Sequence, residues 1–143
     1  MREVLKYSGC FVCGEKNEIG LQAKFHFDGE KAITKVKAGT LYEGYAGIYH
    51  GGILSTLLDE VMIKAILANE RFAVTAEMTI RFVAPVRTGD ELTITGWVTK
   101  SKGRIFVTEG KAVGKDGTVY ATATGKYIEA KEELRQELVK SVE

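Results

Sequence analysis

One long apolar helix in the middle of the chain constrains the fold more than any other feature. The sequence predicts this helix from about His50 to Asn69, and its apolar side chains cover a wide arc: Ile53, Leu54, Leu57, Leu58, Val61, Met62 and Ala65. A helix this apolar cannot lie on a surface, so it needs the concave face of a curled sheet.

Segments that alternate between apolar and polar residues flank the helix on both sides. Before it, residues 21–27 and 32–37 each predict a strand, and the Asp28-Gly29 pair predicts the turn between them. After it, four segments predict an antiparallel meander, with turn residues between them: 73–83, 92–98, 105–113 and 119–128. A polar leader loop (1–20) precedes this region and a short charged helix (129–143) follows it. We expect a single α+β domain over residues 1–143, in which an antiparallel sheet of about six strands wraps around the helix.

The charge balance excludes several classes of partner. The 143 residues include 20 Lys and Arg against 19 Asp and Glu, without a run of like charges. Electrostatic binding of nucleic acid or of an anionic membrane is therefore not expected. The first residues contain no apolar stretch of signal-peptide length, and charged residues interrupt the longest apolar segment. We expect a soluble, cytoplasmic protein.

The two cysteines form a single C-x-x-C motif, Cys10 to Cys13. A structural zinc site has four ligands, and the sequence offers no second C-x-x-C or histidine cluster. A thioredoxin-like redox motif would need a βαβ context that is missing here. The sequence therefore favours two small apolar thiols in the leader and no metal site.

The helix itself carries the strongest candidate for chemistry. Its first turn has backbone N–H groups without intrahelical partners, and Gly51 and Gly52 leave them unshielded toward an oxygen that gains negative charge. Asp59 lies about two turns further on, roughly 13 Å from His50 by helical rise. Because one carbonyl cannot span that distance, the two parts would have to meet across a subunit interface.

Asp59 has a competitor in the neighbouring Glu60. On a helical projection Glu60 aligns with Thr56 and Lys64, which predicts a polar stripe with a salt bridge. Asp59 has mostly apolar neighbours on the projection, and such surroundings raise the proton affinity of a carboxylate. The sequence therefore favours Asp59 as the reactive acid.

Three motifs in this order carry a family resemblance. They are His50-Gly51-Gly52 at the helix start, an acid nine residues after that histidine, and the Gly89-Asp90 turn after the next strand. With the order of elements, they resemble the hotdog-fold acyl-CoA thioesterases over about residues 10–128, the phenylacetate-pathway type most of all. The Cys10-Phe-Val-Cys13-Gly14 opening is also similar to leaders in that family.

The resemblance implies a role for each matching residue. Asp59 would be the nucleophile or general base, and the Gly51 backbone N–H would be the oxyanion donor. His50 would orient the substrate carbonyl or the preceding loop, and Thr75 would position the water or the carboxylate. Several relatives carry an amide side chain six residues before the histidine, where this chain has Gly44.

The resemblance also implies a substrate and an assembly. Aryl or short-to-medium acyl-CoA thioesters would be hydrolysed to the free acid and coenzyme A, which is part of the substrate, so no separate cofactor is expected. The nucleotide phosphates would lie at the turn formed by Lys100, Lys102, Gly103 and Arg104. The subunits would form a homodimer or a dimer of dimers, a homotetramer.

The alternative functions are those of a non-catalytic acyl-CoA-binding or sensor protein and of a hydratase of 2-enoyl thioesters. The sequence leaves open the acyl group, the mode of assembly, and the choice between nucleophile and general base.

Overall fold

A seven-stranded antiparallel sheet packs around one long helix in the computed structural model, which describes residues 1–142. The helix, α1, runs from Gly51 to Leu67. The strands are β1 (Arg2–Glu3), β2 (His26–Phe27), β3 (Lys31–Lys37), β4 (Ala73–Phe82), β5 (Glu91–Lys102), β6 (Ile105–Gly114) and β7 (Val119–Glu129). A 3₁₀ helix (Thr40–Tyr42) precedes α1, and a second helix, α2 (Glu132–Lys140), follows the sheet. The predicted fold class is confirmed. No helix within residues 1–142 is long and apolar enough to cross a membrane.

The strand predicted over residues 21–27 is much shorter than expected. Only its last two residues belong to a strand, β2, because the preceding backbone bonds to the leader instead. The Leu21 N–H donates to the Phe11 carbonyl and the Ala23 N–H to the Val12 carbonyl, both at 2.8 Å, while Gln22 adopts a φ of 50°. A residue in the left-handed region interrupts the pleat of a strand, so the alternating pattern here does not continue a ladder.

The predicted four-stranded meander is wrong in its first member. The strand order is β1-β2-β3-β5-β6-β7-β4, so of the four strands predicted as a meander only β5, β6 and β7 follow one another. β4 pairs with β7 at one edge of the sheet, and β3 takes the place beside β5. The β4–β5 connection passes the start of α1, where Val86 is buried and its carbonyl accepts from the Tyr49 N–H at 2.8 Å. Alternation reports which face a residue occupies, whereas it contains no information about the neighbouring strand.

The helix packs directly on glycines of the sheet. Gly96 of β5 and Gly110 of β6 are opposite each other in the strand register. A Cβ at Gly96 would lie 2.9 Å from the backbone carbonyl of Val61 and 3.0 Å from the Met62 nitrogen. The main chain of α1 therefore rests on the main chain of β5, and only glycine permits this approach.

Candidate active site

The Asp59 carboxylate is held by two hydroxyl groups from adjacent strands. Thr75 Oγ1 donates to Asp59 Oδ1 at 2.9 Å, and Tyr127 Oη donates to the same oxygen at 2.8 Å. Thr75 and Tyr127 are directly opposite each other in the β4–β7 ladder, and a β-bulge begins at Thr75. Both donors thus come from one cross-strand pair of the sheet. A β-bulge changes the direction of nearby side chains, here that of Thr75. Within residues 1–142, no hydrogen bond reaches Asp59 Oδ2.

Tyr127 is the residue of this cluster that sequence reasoning missed. Its side chain is fully buried, and both burial and the nearby Asp59 charge raise the pKa of its hydroxyl, so the group remains a donor. A signal was present in β7, whose buried face consists of Ala121, Ala123, Gly125 and Tyr127. A tyrosine hydroxyl on an otherwise small, apolar face needs a polar partner.

Glu60 is more buried than its neighbour Asp59, contrary to the sequence interpretation. It is only 8% exposed, whereas Asp59 is partly exposed. The predicted ion pair with Lys64 is present at 3.8 Å, yet Lys64 is completely buried, so the pair is not on a solvated stripe. Burial and the nearby Cys10 raise the pKa of Glu60 to about 7. The leader covers this face of α1, and helical projection alone could not place the leader.

The start of α1 presents one unused backbone donor. His50 is the N-cap, and its Nδ1 accepts the Gly52 N–H at 2.8 Å. The Gly51 N–H donates to no group within residues 1–142. Gly44 lies beside the histidine, because a Cβ there would be 3.3 Å from His50 Cδ2. His50 Nδ1 thus takes up the Gly52 N–H, and the Gly51 N–H is left as the donor that could face an oxyanion.

The acid and the helix start are separate within one subunit. Gly51 and Asp59 lie eight residues apart on a straight helix, a distance of roughly 12 Å. Gly51 faces the end of β4, where a Cβ would meet the Phe82 ring at 3.4 Å, whereas Asp59 bonds Thr75 near the start of the same strand. The chain therefore brings Asp59 and Thr75 together near the middle of α1, while His50 and Gly51 lie at its start.

An apolar cavity of about 550 Å³ lies beside Thr75, the residue that donates to Asp59. Its walls come from the leader, the second half of α1, the start of β4 and helix α2, including Cys10, Ile63, Leu67, Thr75 and Leu138. Thr75 is thus shared between the cavity and the hydrogen bonds of Asp59. Volumes of this order are typical of small-molecule sites.

The basic turn predicted as a phosphate site lies near the same end of the sheet. Lys102 and Ile105 close the β5–β6 hairpin, and Phe106 pairs with Tyr127 one residue further along β6. Arg104 is not free, since its guanidinium donates to the Glu129 carbonyl, through Nη2 at 2.9 Å. Lys100 and Lys102 are exposed, and Gly103 has a φ of 59°, as the tight turn requires.

The sequence profile that matches this chain decides its family. It describes the thioesterase superfamily and aligns with residues 46–121, more than half of the chain. The chain belongs to the thioesterase superfamily. The matched segment contains His50, Gly51, Asp59 and Thr75, and it ends before Tyr127.

Other members of the thioesterase superfamily are similar over most of the fold. Human acyl-coenzyme A thioesterase 13 is 32% identical over 100 residues, which are 68% of this chain and 66% of that protein. A crystal structure of another superfamily protein superposes with a TM-score of 0.79 at 25% identity, covering 85% of this chain and 60% of that one. The PaaI protein of the Escherichia coli phenylacetic acid degradation operon gives a TM-score of 0.68 at 25% identity, with 71% and 73% covered. The chain thus spans slightly less than two thirds of the length of its human relative.

Proposed function

We propose that this protein hydrolyses acyl-CoA thioesters to a carboxylic acid and coenzyme A. The observation that carries the proposal is the Asp59 carboxylate, whose Oδ1 is fixed by Thr75 and Tyr127 while Oδ2 remains available. A free carboxylate oxygen beside an apolar cavity can attack a thioester carbonyl or take a proton from an attacking water. The thiolate leaves readily, so the reaction needs no strong general acid.

The second requirement is a donor for the tetrahedral oxyanion. The unused Gly51 N–H at the positive end of α1 meets it, since a backbone donor fixed before the reaction costs no reorganisation. His50 supports this role by capping the same turn. When neutral, an imidazole that accepts at Nδ1 carries its proton on Nε2, which gives a further donor toward the substrate.

A twofold dimer would join these two parts of the site. β4 is an edge strand, and Val74 and Phe82 within it and Val83 directly after it are exposed. Antiparallel pairing of two β4 strands about a centre between Met78 and Thr79 would place Thr75 opposite Phe82 of the partner copy. Because Gly51 faces Phe82 and Asp59 bonds Thr75, this register brings Gly51 of one subunit toward Asp59 of the other. It also covers an open edge.

The acyl group would occupy the apolar cavity next to Thr75. Its volume of about 550 Å³ accommodates an aryl or a short-to-medium acyl chain. Two proteins of the same fold support a coenzyme A ligand: the Streptococcus pneumoniae protein solved with coenzyme A (20% identity, TM-score 0.72) and smu.793 of Streptococcus mutans bound to acetyl CoA (22% identity, TM-score 0.72).

The nucleotide phosphates would bind at the β5–β6 turn through Lys100 and Lys102. The Arg104 side chain would stabilise the turn through Glu129 more than it contacts phosphate. Each rim-exposed contact contributes about 0.5–1 kcal/mol. Lys102→Ala should therefore raise KM for acyl-CoA about threefold and leave hydrolysis of a truncated acyl-pantetheine thioester unchanged. An equal loss on both substrates would contradict this placement.

Thiol release from a panel of aryl and straight-chain acyl-CoAs tests the function. We expect turnover with at least one member and loss of turnover in Asp59→Asn. Tight binding without thiol release would indicate the sensor alternative, and water addition to 2-enoyl-CoA would indicate the hydratase. Single turnovers in H₂¹⁸O separate the two roles of the acid, since label in Asp59 itself marks a covalent acyl intermediate.

A further inference from the structure

A buried polar cluster connects the C-x-x-C motif to the back of helix α1. The Cys10 and Cys13 sulfurs and a Glu60 carboxylate oxygen all lie within 4.8 Å of one another. The ammonium of Lys64 donates to Cys13 Sγ at 3.3 Å and to the Leu5 carbonyl. The two cysteines are therefore not the apolar thiols that the sequence favoured.

The surroundings of Cys10 favour a thiolate. Its sulfur accepts the Val12 N–H at 3.3 Å and the Cys13 N–H at 3.4 Å, so two backbone dipoles point at it. The fully buried Lys64, which contacts Cys13, adds a positive charge to the cluster. The Glu60 carboxyl oxygen Oε1 lies 3.9 Å from Cys10 Sγ, and because burial raises the pKa of Glu60 to about 7, this neighbour adds little negative charge below that pH. The pKa of Cys10 is lowered, first by hydrogen bonding from the Cys13 thiol and then by these N–H groups, whereas the pKa of Cys13 is raised.

The two sulfurs differ in access. Cys10 is half-buried and lines the 550 Å³ cavity, whereas Cys13 is 2% exposed and lies behind it. A turn closed by the Gly14 N–H and the Cys10 carbonyl, at 2.9 Å, places both sulfurs on one side of the loop. A small reagent entering the cavity would thus meet Cys10 first and find Cys13 next to it.

We propose that Cys10 and Cys13 form a redox-active dithiol that reacts with hydroperoxides. The Cys10 thiolate attacks the terminal peroxide oxygen, the O–O bond breaks, and the leaving oxygen takes a proton to become water or an alcohol. Cys10 is then a sulfenic acid. The Cys13 sulfur attacks the Cys10 sulfur, the S–O bond breaks, and hydroxide leaves with the Cys13 proton as water. The dithiol loses two electrons to form a disulfide, and the peroxide gains them.

Lys64 distinguishes this dithiol from a zinc site. Its ammonium lies 3.3 Å from Cys13 Sγ and 3.8 Å from Glu60 Oε2, so a cation already faces two of the three groups that a metal would need. The pair of thiols with one accessible member is instead the arrangement of an attacking and a resolving cysteine.

Thiol chemistry on the purified protein tests the proposal. Hydrogen peroxide should produce a Cys10–Cys13 disulfide, seen by peptide mass spectrometry as a loss of two hydrogens that dithiothreitol reverses. Cys13→Ser should instead accumulate a Cys10 sulfenic acid that dimedone traps, and Cys10→Ser should give neither product. The serine variants are nearly isosteric, and circular dichroism checks that they fold.

The pH dependence of alkylation provides a second, independent readout. In Cys13→Ser, iodoacetamide should modify Cys10 at pH 6 within about fivefold of its rate at pH 8. A thiol of ordinary pKa near 8.5 would lose roughly 80-fold over that range. A drop of that size, the absence of an intramolecular disulfide after oxidation, or one tightly bound zinc per chain in the purified protein would each overturn the proposal.

Discussion

At the residue scale, the proposed function depends on how the Asp59 carboxylate is oriented. Asp59 could be selected from the sequence because it follows the His50-Gly51-Gly52 motif at a fixed spacing. The two hydroxyl groups that donate to Asp59 could not both be predicted from the sequence. Thr75 was found through the resemblance alone, and Tyr127 could be found only from the β4–β7 register, which no local pattern encodes. The structure thus adds a second hydroxyl donor to the same oxygen.

Removing the Asp59 carboxylate should lower kcat far more than removing either of the hydroxyl groups that donate to it. Asp59→Asn should lower kcat by on the order of 10²-fold or more while the fold persists. Thr75→Val and Tyr127→Phe each remove one hydrogen bond to a charged group and should lower kcat about tenfold with little change in KM. Steady-state kinetics and thermal melts provide the measurement. Glu60→Gln is the control, and a larger kcat loss there than in Asp59→Asn would reverse the assignment.

The oxyanion donor can be tested by deleting a single N–H. Proline suits the first helical position, and His50 already has the extended conformation (φ −64°, ψ 127°) that precedes proline. Gly51→Pro should therefore fold normally and lower kcat about 10²–10³-fold. Gly51→Ala keeps the N–H and should retain most of kcat, as its Cβ only contacts the Phe82 ring at 3.4 Å. Equal activity of the two variants would exclude this donor.

Glu60 makes the stability of the protein depend on pH. Its pKa is about 7 in the folded state against 4.5 as the ordinary value, so the folded state holds the proton longer. The resulting contribution of Glu60 to the free energy of unfolding is complete below pH 4.5 and is lost as pH rises through 7. From pH 5 to 8, wild type should lose about 1–3 kcal/mol of unfolding free energy relative to Glu60→Gln. Urea unfolding under reducing conditions measures this, and parallel pH profiles would contradict it.

At the element scale, the position of α1 is set by its contact with β5. The apolar arc of the helix was predictable from its period, and so was the need for a concave sheet. The contact between Gly96 and the helix backbone was not predictable, because a glycine in a strand is equally compatible with a bulge or a turn. The leader likewise remained unplaced, since its backbone bonds follow no period.

Gly96→Ala should destabilise the protein strongly, although it adds only one methyl group. The added Cβ would lie 2.9 Å from the Val61 backbone, which cannot yield without moving the helix. We expect a loss of about 2–3 kcal/mol in chemical denaturation. Gly39→Ala is the matched control, because its Cβ would meet only the Tyr42 ring at 3.5 Å, and its cost should stay within about 0.5 kcal/mol. Similar losses in both would exclude the close approach as the cause.

At the scale of the whole molecule, the proposed site is complete only when a second copy pairs with the outer edge of β4. The sequence indicated that one subunit could not bring Gly51 to Asp59, and the structure keeps them about two turns apart, at the start and in the middle of α1. The sheet order places β4 at the open edge, since β4 pairs with β7 and not with β5.

Mixing two inactive variants should restore activity if the site is shared. In a heterodimer of Asp59→Asn and Gly51→Pro subunits, one site carries both defects and the other carries neither. Random pairing after co-refolding makes half of the dimers mixed, so we expect about a quarter of wild-type turnover. Each variant refolded alone is the control. Absence of rescue in dimers confirmed by light scattering, or an active monomer near 15.7 kDa, would place the whole site in one subunit.

The contact of α1 with Gly96 has a practical consequence for engineering the substrate range. Because main chain rests on main chain, the height of the helix above the sheet is independent of the side chains on its other face. Ile63 and Leu67 line the cavity from that other face, and Leu138 lines it from α2. A library that varies these three positions can therefore enlarge or shorten the cavity while Asp59 keeps its place above Thr75 and Tyr127.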